Sequence, residues 1–280
     1  MTSPPRACVI GHPVTHSRSP MIHGHWLATL GLAGSYGRED VAPEDIMAFL
    51  ESLRERGYAG ANVTIPHKEA AFRVAHVTTP RARAVEAVNT LWFDGDTLVG
   101  DNTDGEGFLA SLEEGCPGWL GSTNRAVVLG AGGAARGVVA ALQGSGIPHI
   151  LLANRTQARA QALAGLFGRG VEAIAWEDLP AAMKSADLLV NTTSLGMKGH
   201  PPLDLDLAPL KPGAVVTDIV YVPLMTDLLL RARAAGHPVV GGLGMLLHQA
   251  VPGFEKWFGV RPQVTPALRA LVEADVEGRR

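Results

Sequence analysis

Two side chains, Lys68 and Asp104, are the pair through which this chain would move a proton. Oxidising an alcohol requires a base to take the hydroxyl proton as hydride leaves, and a lysine desolvated in a cleft has its pKa lowered toward the working range. A carboxylate beside it favours the charged amine while orienting the hydroxyl. Small hydrogen-bonding residues cluster nearby in sequence: His16-Ser17-Arg18-Ser19, Asn62-Val63-Thr64, Asn89-Thr90 and Asn102-Thr103-Asp104. Converging on one cleft, they suit a small ligand bearing hydroxyls and a carboxylate. Each also has a plain structural reading. Ser19 before Pro20 has the spacing of a helix N-cap, and Thr103 with Glu106 that of a capping box, with Asp104 as a first-turn acid. Lys68 is equally readable as a solvated surface lysine.

A second chemistry resides in a glycine loop. Arg125 and the apolar run 126–129 lead into Gly130-Ala131-Gly132-Gly133-Ala134-Ala135 and then an apolar helical stretch. This is G-x-G-x-x-A in a strand–turn–helix setting, where the first glycine permits the turn and the second lets backbone approach a pyrophosphate. The pattern predicts dinucleotide binding; the alternative is an ordinary glycine-rich βα turn. NAD sites commonly place an acid about 20 residues on, against the ribose 2′-hydroxyl. Here the next strand ends in Asn154-Arg155-Thr156, with Arg159 one turn later and no carboxylate. Guanidiniums bind phosphate through paired, charge-assisted hydrogen bonds, so the 2′-phosphate of NADP is the predicted ligand. The other reading makes Thr156 a cap and the arginines surface charges. Asn191-Thr192-Thr193-Ser194-Leu195-Gly196-Met197 ends a further strand in polar residues that would line the same crevice.

The elements carrying these residues alternate. Strands are predicted at 7–11, 59–65, 85–93 and 97–100, the last two joined by the Asp94-Gly95 turn. Helices begin near Ser19-Pro20 and Pro66, and Ile46, Phe49, Leu50 and Leu53 share one helical face. After a helix at about 104–114, the Gly/Pro/Ser-rich stretch 115–122 is the best linker candidate. Strands then recur at 126–129, 149–153, 187–191 and 214–220, with helices at 134–142 and 156–167 between them. Strands separated by helices imply βαβ units, hence two α/β domains. A chain of 280 residues, 46% hydrophobic and 18% charged, is long and apolar enough to build two cores. A net charge of −3 offers no basic surplus for nucleic acid. Mean hydropathy is +0.13, yet no apolar run approaches the ~18–20 residues of a membrane span. Two cysteines make no disulfide scaffold, and the ten histidines show no metal spacing. With no secretory signal in view, a cytoplasmic protein is expected.

The ordered set of motifs resembles the shikimate dehydrogenase family along nearly the whole chain. The resemblance is carried by Gly11-His12-Pro13 through Pro20, Asn62 through Lys68, Ala87-Val88-Asn89-Thr90, Asn102-Thr103-Asp104, the glycine loop, Asn154-Arg155-Thr156 and Asn191 through Met197. It continues in Asp218-Ile219-Val220-Tyr221 and Gly244 through Ala250. It implies NADPH-dependent reduction of 3-dehydroshikimate to shikimate, a step of chorismate and aromatic amino-acid biosynthesis. It further implies an N-terminal substrate domain with a mainly parallel sheet, 1–105 completed by 243–280. A Rossmann-type NADP domain would follow at 106–242, with a cleft between the two. By family analogy Ser17 and Ser19 hold the substrate carboxylate, with Tyr221 nearby. Thr64, Asn89, Asp104 and Gln249 would hold ring hydroxyls, and Lys68 with Asp104 matches the catalytic pair. Cofactor contacts would come from Gly130, Ala131, Gly132, Gly133, Ala134, Asn154, Arg155, Thr156, Arg159, Thr192 and Ser194. Met197, Ile219 and Gly242 lie in segments the family places near the nicotinamide. The implied partners are a small-molecule substrate and NADP, with no metal, nucleic acid or membrane, in a monomer or homodimer. Gly24 and Glu86 depart from the family's usual Asn and Gly. A quinate/shikimate dehydrogenase of broader specificity and a non-catalytic NADP-binding module are the alternative readings.

Overall fold

The computed structural model describes residues 3–278. Its contacts divide the chain into two compact units, one running to Thr103 and rejoined by Gln249–Ala274, the other formed chiefly by Asp104–His248.

The first unit carries six strands: β1 (Arg6–Gly11), β2 (Ser35–Asp40), β3 (Gly60–Val63), β4 (Val77–Thr78), β5 (Thr90–Asp94) and β6 (Thr97–Asp101). Their order is β2-β1-β3-β5-β6-β4. The sheet is mixed: β1 runs parallel to β2 and β3, and β4 to β6, whereas β5 is antiparallel to β3 and β6. The β5–β6 hairpin turns at Asp94-Gly95, as its turn chemistry predicts. Because β5 is reversed, its first residue, Thr90, stands opposite Asn62 of β3 and Asp101 of β6. The polar ends of those three neighbouring strands are thereby gathered at one end of the sheet.

Along β1, Cys8 and Ile10 enter a core with Ile46, Phe49, Leu50 and Leu53, the helical face read from spacing. An aromatic cluster of Trp26, Tyr36, Phe254 and Trp257 surrounds the His23 ring. The segment after Gln249 is tied to this unit by buried indoles: Trp257 Nε1 donates to the Leu91 carbonyl (2.8 Å), and Trp26 Nε1 to that of Gln263 (2.9 Å).

Two local expectations are corrected. Ser19 is the first residue of the helix Ser19–Thr29 and not its cap; Arg18 occupies the cap position, with no capping side chain. Arg18 already has helical dihedrals and its carbonyl accepts from the Met21 and Ile22 N–H groups, so the helix starts one residue earlier than the serine–proline pair suggests. The strand predicted at 85–93 begins only at Thr90, because a helix, Pro80–Val85, ends just before Glu86. Glu86 caps that helix in the left-handed region at φ 49°, the one non-glycine with positive φ among the described residues. The glycine usual in the family at this position therefore has a backbone reason.

The second unit's strands are β7 (Arg125–Leu129), β8 (His149–Ala153), β9 (Val171–Ile174), β10 (Leu188–Asn191), β11 (Val215–Asp218) and β12 (Val239–Val240). They pair in the order β12-β11-β10-β7-β8-β9, all parallel. This is the doubly wound order, reversing direction between β7 and β10. Both faces are covered, so the central strands are continuous apolar runs. Ala126 and Val128 face one core with Ile150, Leu152 and Val190; Val127 and Leu129 face the other with Leu189 and Val216. Among the described residues no helix is long and apolar enough to cross a membrane.

Candidate active site

In the first unit, the loop after β1 and the turn after β3 are locked together. The Thr64 N–H donates to the Ile10 carbonyl (2.9 Å) and the His12 N–H to that of Ile65 (3.1 Å). Gly11 makes room for this approach, since a Cβ there would stand 2.5 Å from Thr64 Cγ2. Within the loop, the Ser17 hydroxyl donates to Ser19 Oγ at 3.2 Å, leaving two hydroxyls side by side in long, weak contact. Lys68 opens the helix Lys68–Val74, half-buried, directly after the turn bearing Thr64. That helix start is held twice. Buried His67 Nε2 donates to the Val41 carbonyl (2.7 Å), and the Lys68 carbonyl accepts the Val88 N–H (2.9 Å).

Asn89 sits at the middle of a buried amide–hydroxyl network. Its Oδ1 accepts from the Thr103 N–H (2.9 Å) and the Thr90 hydroxyl (2.9 Å), while Nδ2 donates to Thr103 Oγ1 (3.0 Å) and Gln249 Oε1 (3.5 Å). The Thr103 hydroxyl also reaches the Gln249 carbonyl at 2.8 Å. Asn62 supports this from beneath: Nδ2 donates to the Asn89 carbonyl (3.1 Å) and Thr90 Oγ1 (3.2 Å), and Oδ1 accepts the Tyr36 hydroxyl (2.6 Å). The fold thus brings Asn89 and Gln249 together, although 160 residues separate them. The supports Tyr36 and Asn62 were not among the predicted site residues. Asn62 was visible as part of a polar cluster; Tyr36 gave no signal.

In the second unit, Asp104 begins the helix Asp104–Gly115. This helix packs closely on Gly133–Gly144, the helix after the glycine loop, with a Cβ on Gly137 falling 3.6 Å from that of Asp104. Gly130 stands at φ 112°, donates to the Ala153 carbonyl (2.8 Å), and would meet Thr192 Oγ1 at 2.5 Å if it carried a Cβ. The Thr192 hydroxyl donates to the Leu129 carbonyl (2.6 Å), so it buttresses the loop. Ala131 and Ala134 are half-buried, Ala135 packs into the core, and a Cβ on Gly132 or Gly133 would meet nothing within 4 Å. The first helical turn is therefore an open cradle with no side chain over its N–H groups, which fits a pyrophosphate.

At the end of β8, the Asn154 amide donates to the Thr156 carbonyl (2.9 Å) and shapes the turn. Thr156 holds the N-cap position of the helix Gln157–Phe167 but makes no capping bond. Arg155 and Arg159 are exposed, and no ion pair is recorded for either among the described residues. A free hydroxyl and two uncompensated guanidiniums are the donor set a phosphate monoester needs. At the carboxyl ends of β10 and β11, Asn191 ties the strands by donating to Asp218 Oδ1 (3.0 Å). Asp218 is fully buried; burial pushes its carboxyl up, against hydrogen bonds from Thr226, the Val220 N–H and Asn191. The Lys198 N–H to Val222 carbonyl bond (2.8 Å) draws the Ser194–Met197 turn to the segment holding Ile219 and half-buried Tyr221. Gly242 backs onto the Ile219 carbonyl, so Met197, Ile219 and Gly242 share one end of this sheet. No three His, Cys, Asp or Glu side chains are grouped to hold a metal among the described residues.

Three family descriptions match in chain order. The shikimate dehydrogenase substrate-binding domain covers residues 9–91, shikimate/quinate 5-dehydrogenase 120–197, and the shikimate 5′-dehydrogenase C-terminal domain 242–272. A shikimate dehydrogenase (NADP(+)) of Methylocella silvestris is 60% identical over 273 residues, covering 98% of this chain and 97% of the relative. Shikimate 5-dehydrogenase of Thermus thermophilus, solved with NADP(H) and shikimate, superposes with a TM-score of 0.86 at 37% identity, over 97% of this chain and 99% of that one. Quinate dehydrogenase of Corynebacterium glutamicum, solved with NAD, gives 0.89 at 32% identity with the same coverage. The chain belongs to the shikimate dehydrogenase family.

Proposed function

We infer that this protein is a shikimate dehydrogenase that reduces 3-dehydroshikimate to shikimate reversibly with NADPH. One observation carries the cofactor choice: β8 ends in Asn154-Arg155-Thr156 with exposed arginines and no carboxylate, beside an open glycine cradle. The relatives named for NADP support the same assignment. The first unit serves as the substrate domain and the second as the NADP domain.

When bound, NADPH supplies the hydride. Lys68 handles the accompanying proton, giving it to the ketone oxygen as that oxygen becomes a hydroxyl and removing it in the reverse direction. Asp104 orients the same hydroxyl. Ser17 and Ser19 take the substrate carboxylate, and Thr64, Asn89 and Gln249 take ring hydroxyls, with Tyr221 beside the carboxylate. The rigid network under Asn89 supports this reading, because ordered donors bind a polyol without first losing their own freedom. Gly130 through Ala134 cradle the pyrophosphate; Asn154, Arg155, Thr156 and Arg159 take the 2′-phosphate. Thr192, Ser194, Met197, Ile219 and Gly242 shape the nicotinamide end.

The test is the rise in reduced-nicotinamide absorbance with shikimate or quinate and NADP+ or NAD+. Shikimate with NADP+ should give the highest specificity constant. A quinate preference would shift the assignment to the quinate-using branch, and absence of any substrate-dependent change would leave a non-catalytic NADP-binding module.

A further inference from the structure

Two neutral hydroxyls make a poor carboxylate site by themselves, because an anion leaving water loses more than two long hydroxyl contacts return. A positive charge stands beside that loop on β2. Arg38 donates through Nε (3.2 Å) and Nη2 (2.6 Å) to one acceptor, the backbone carbonyl of Ser17. No ion pair is recorded for its guanidinium among the described residues. Asp40, two residues along the strand and on the same face, is bound to His12 Nδ1 at 2.6 Å. Glu39 alternates to the other face, where it accepts the Tyr58 hydroxyl. The edge strand β2 therefore straps the serine loop at both ends, His12 and Ser17, and sets the Arg38 guanidinium directly against the Ser17 carbonyl.

We propose that Arg38 is a positioning residue that makes this site select a carboxylate, fixing Ser17 through its carbonyl and supplying the field that Ser17 and Ser19 lack. The inference rests on the reading of those serines as the carboxylate site.

The test measures dissociation constants by calorimetry for shikimate and for its uncharged methyl ester, without cofactor, in wild type, Arg38→Ala and Arg38→Lys. Arg38→Ala should weaken shikimate about tenfold while changing the ester less than about threefold, as loss of one nearby charge predicts. Arg38→Lys, which keeps the charge, should recover part of that loss, and high salt should narrow the gap between wild type and Arg38→Ala. Equal weakening of both ligands would make Arg38 a purely structural strap, and no weakening of either would remove its role; each result overturns the proposal. Wild type that binds shikimate but never oxidises it would sink the proposed reaction, while the ratio of acid to ester binding would still decide the role of Arg38.

Discussion

Lowering the pH should destabilise the first unit through a single histidine. His23 is fully buried, stacked on Tyr36 at 4.0 Å between ring centroids, with Trp26, Phe254 and Trp257 around it. Neither ring nitrogen has a hydrogen-bond partner among the described residues. Burial pushes its pKa down from 6.5 to about 3; the nearby Asn62 side chain opposes the shift without closing a hydrogen bond of good geometry. The imidazole is thus neutral when folded and takes up a proton near pH 6.5 when unfolded. Protons bind the unfolded state more strongly between those two values, so stability is fully present above about pH 6.5 and is lost as pH falls toward 3. Each unit in that window is about 1.4 kcal/mol, which puts the loss between pH 7 and pH 5 at about 2 kcal/mol from this residue.

Carboxylates titrate in the lower part of that range, so the measurement must isolate His23. Urea unfolding of wild type and His23→Phe at pH 7, 6 and 5 does this, with Trp26 and Trp257 as fluorescence reporters beside the ring. The phenyl ring keeps the stacking, adds one carbon of volume and cannot titrate. Stability at pH 7 should differ by no more than about 1.5 kcal/mol in either direction. At pH 5 the variant should have gained about 2 kcal/mol relative to wild type. Parallel pH profiles for the two proteins would refute the argument, since they would mean that His23 protonates without opening its aromatic surroundings.

Three further outcomes follow from the site and its supports. Lys68→Ala should lower turnover by about 10²–10⁴ while shifting shikimate binding far less, read from steady-state kinetics; near-normal turnover removes Lys68 from proton transfer. Arg155→Ala should reduce kcat/KM for NADP+ at least about tenfold more than for NAD+, the worth of a charge-assisted phosphate contact, and equal losses would refute that contact. Glu86→Gly should raise stability by about 1 kcal/mol in urea unfolding, because a side chain at φ 49° carries a left-handed penalty that glycine lacks. A destabilised Glu86→Gly would show that the contacts of the Glu86 side chain outweigh the backbone cost.

The second unit was more legible in sequence than the first, for a reason that lies in solvent exposure. Strands β7, β8 and β10 are covered on both faces and announce themselves as runs of three or four consecutive apolar residues. In the first unit, β2 reads Ser-Tyr-Gly-Arg-Glu-Asp, an edge strand with four of six residues exposed, and nothing in its composition marks it as a strand. Missing β2 hid Tyr36 and Arg38, one supporting Asn62 and the other the serine loop. Local spacing also misplaced the boundary near Val85, because a six-residue helix followed by a left-handed glutamate mimics a strand entry in one dimension.

The residues a motif contains and the residues free to act on a ligand are different sets, and only the fold separates them. Thr192 looked like a crevice residue, but its hydroxyl is spent on the Leu129 carbonyl, where it holds the glycine turn. Asn191 and Asp218 saturate one another and their neighbours, and Asn62 and Thr103 bind Asn89 and the Gln249 backbone. By contrast, the Ser17 hydroxyl meets Ser19 only at 3.2–3.3 Å, and Thr156 keeps its hydroxyl out of the cap it occupies. A polar side chain already satisfied at 2.6–2.9 Å gains little by turning to a ligand, whereas a weakly held one exchanges a poor bond for a better one. Motif matching gives both kinds the same weight. The difference predicts that alanine substitutions at Thr192 and Asn62 act mainly through stability and those at Ser17 and Thr156 mainly through ligand affinity.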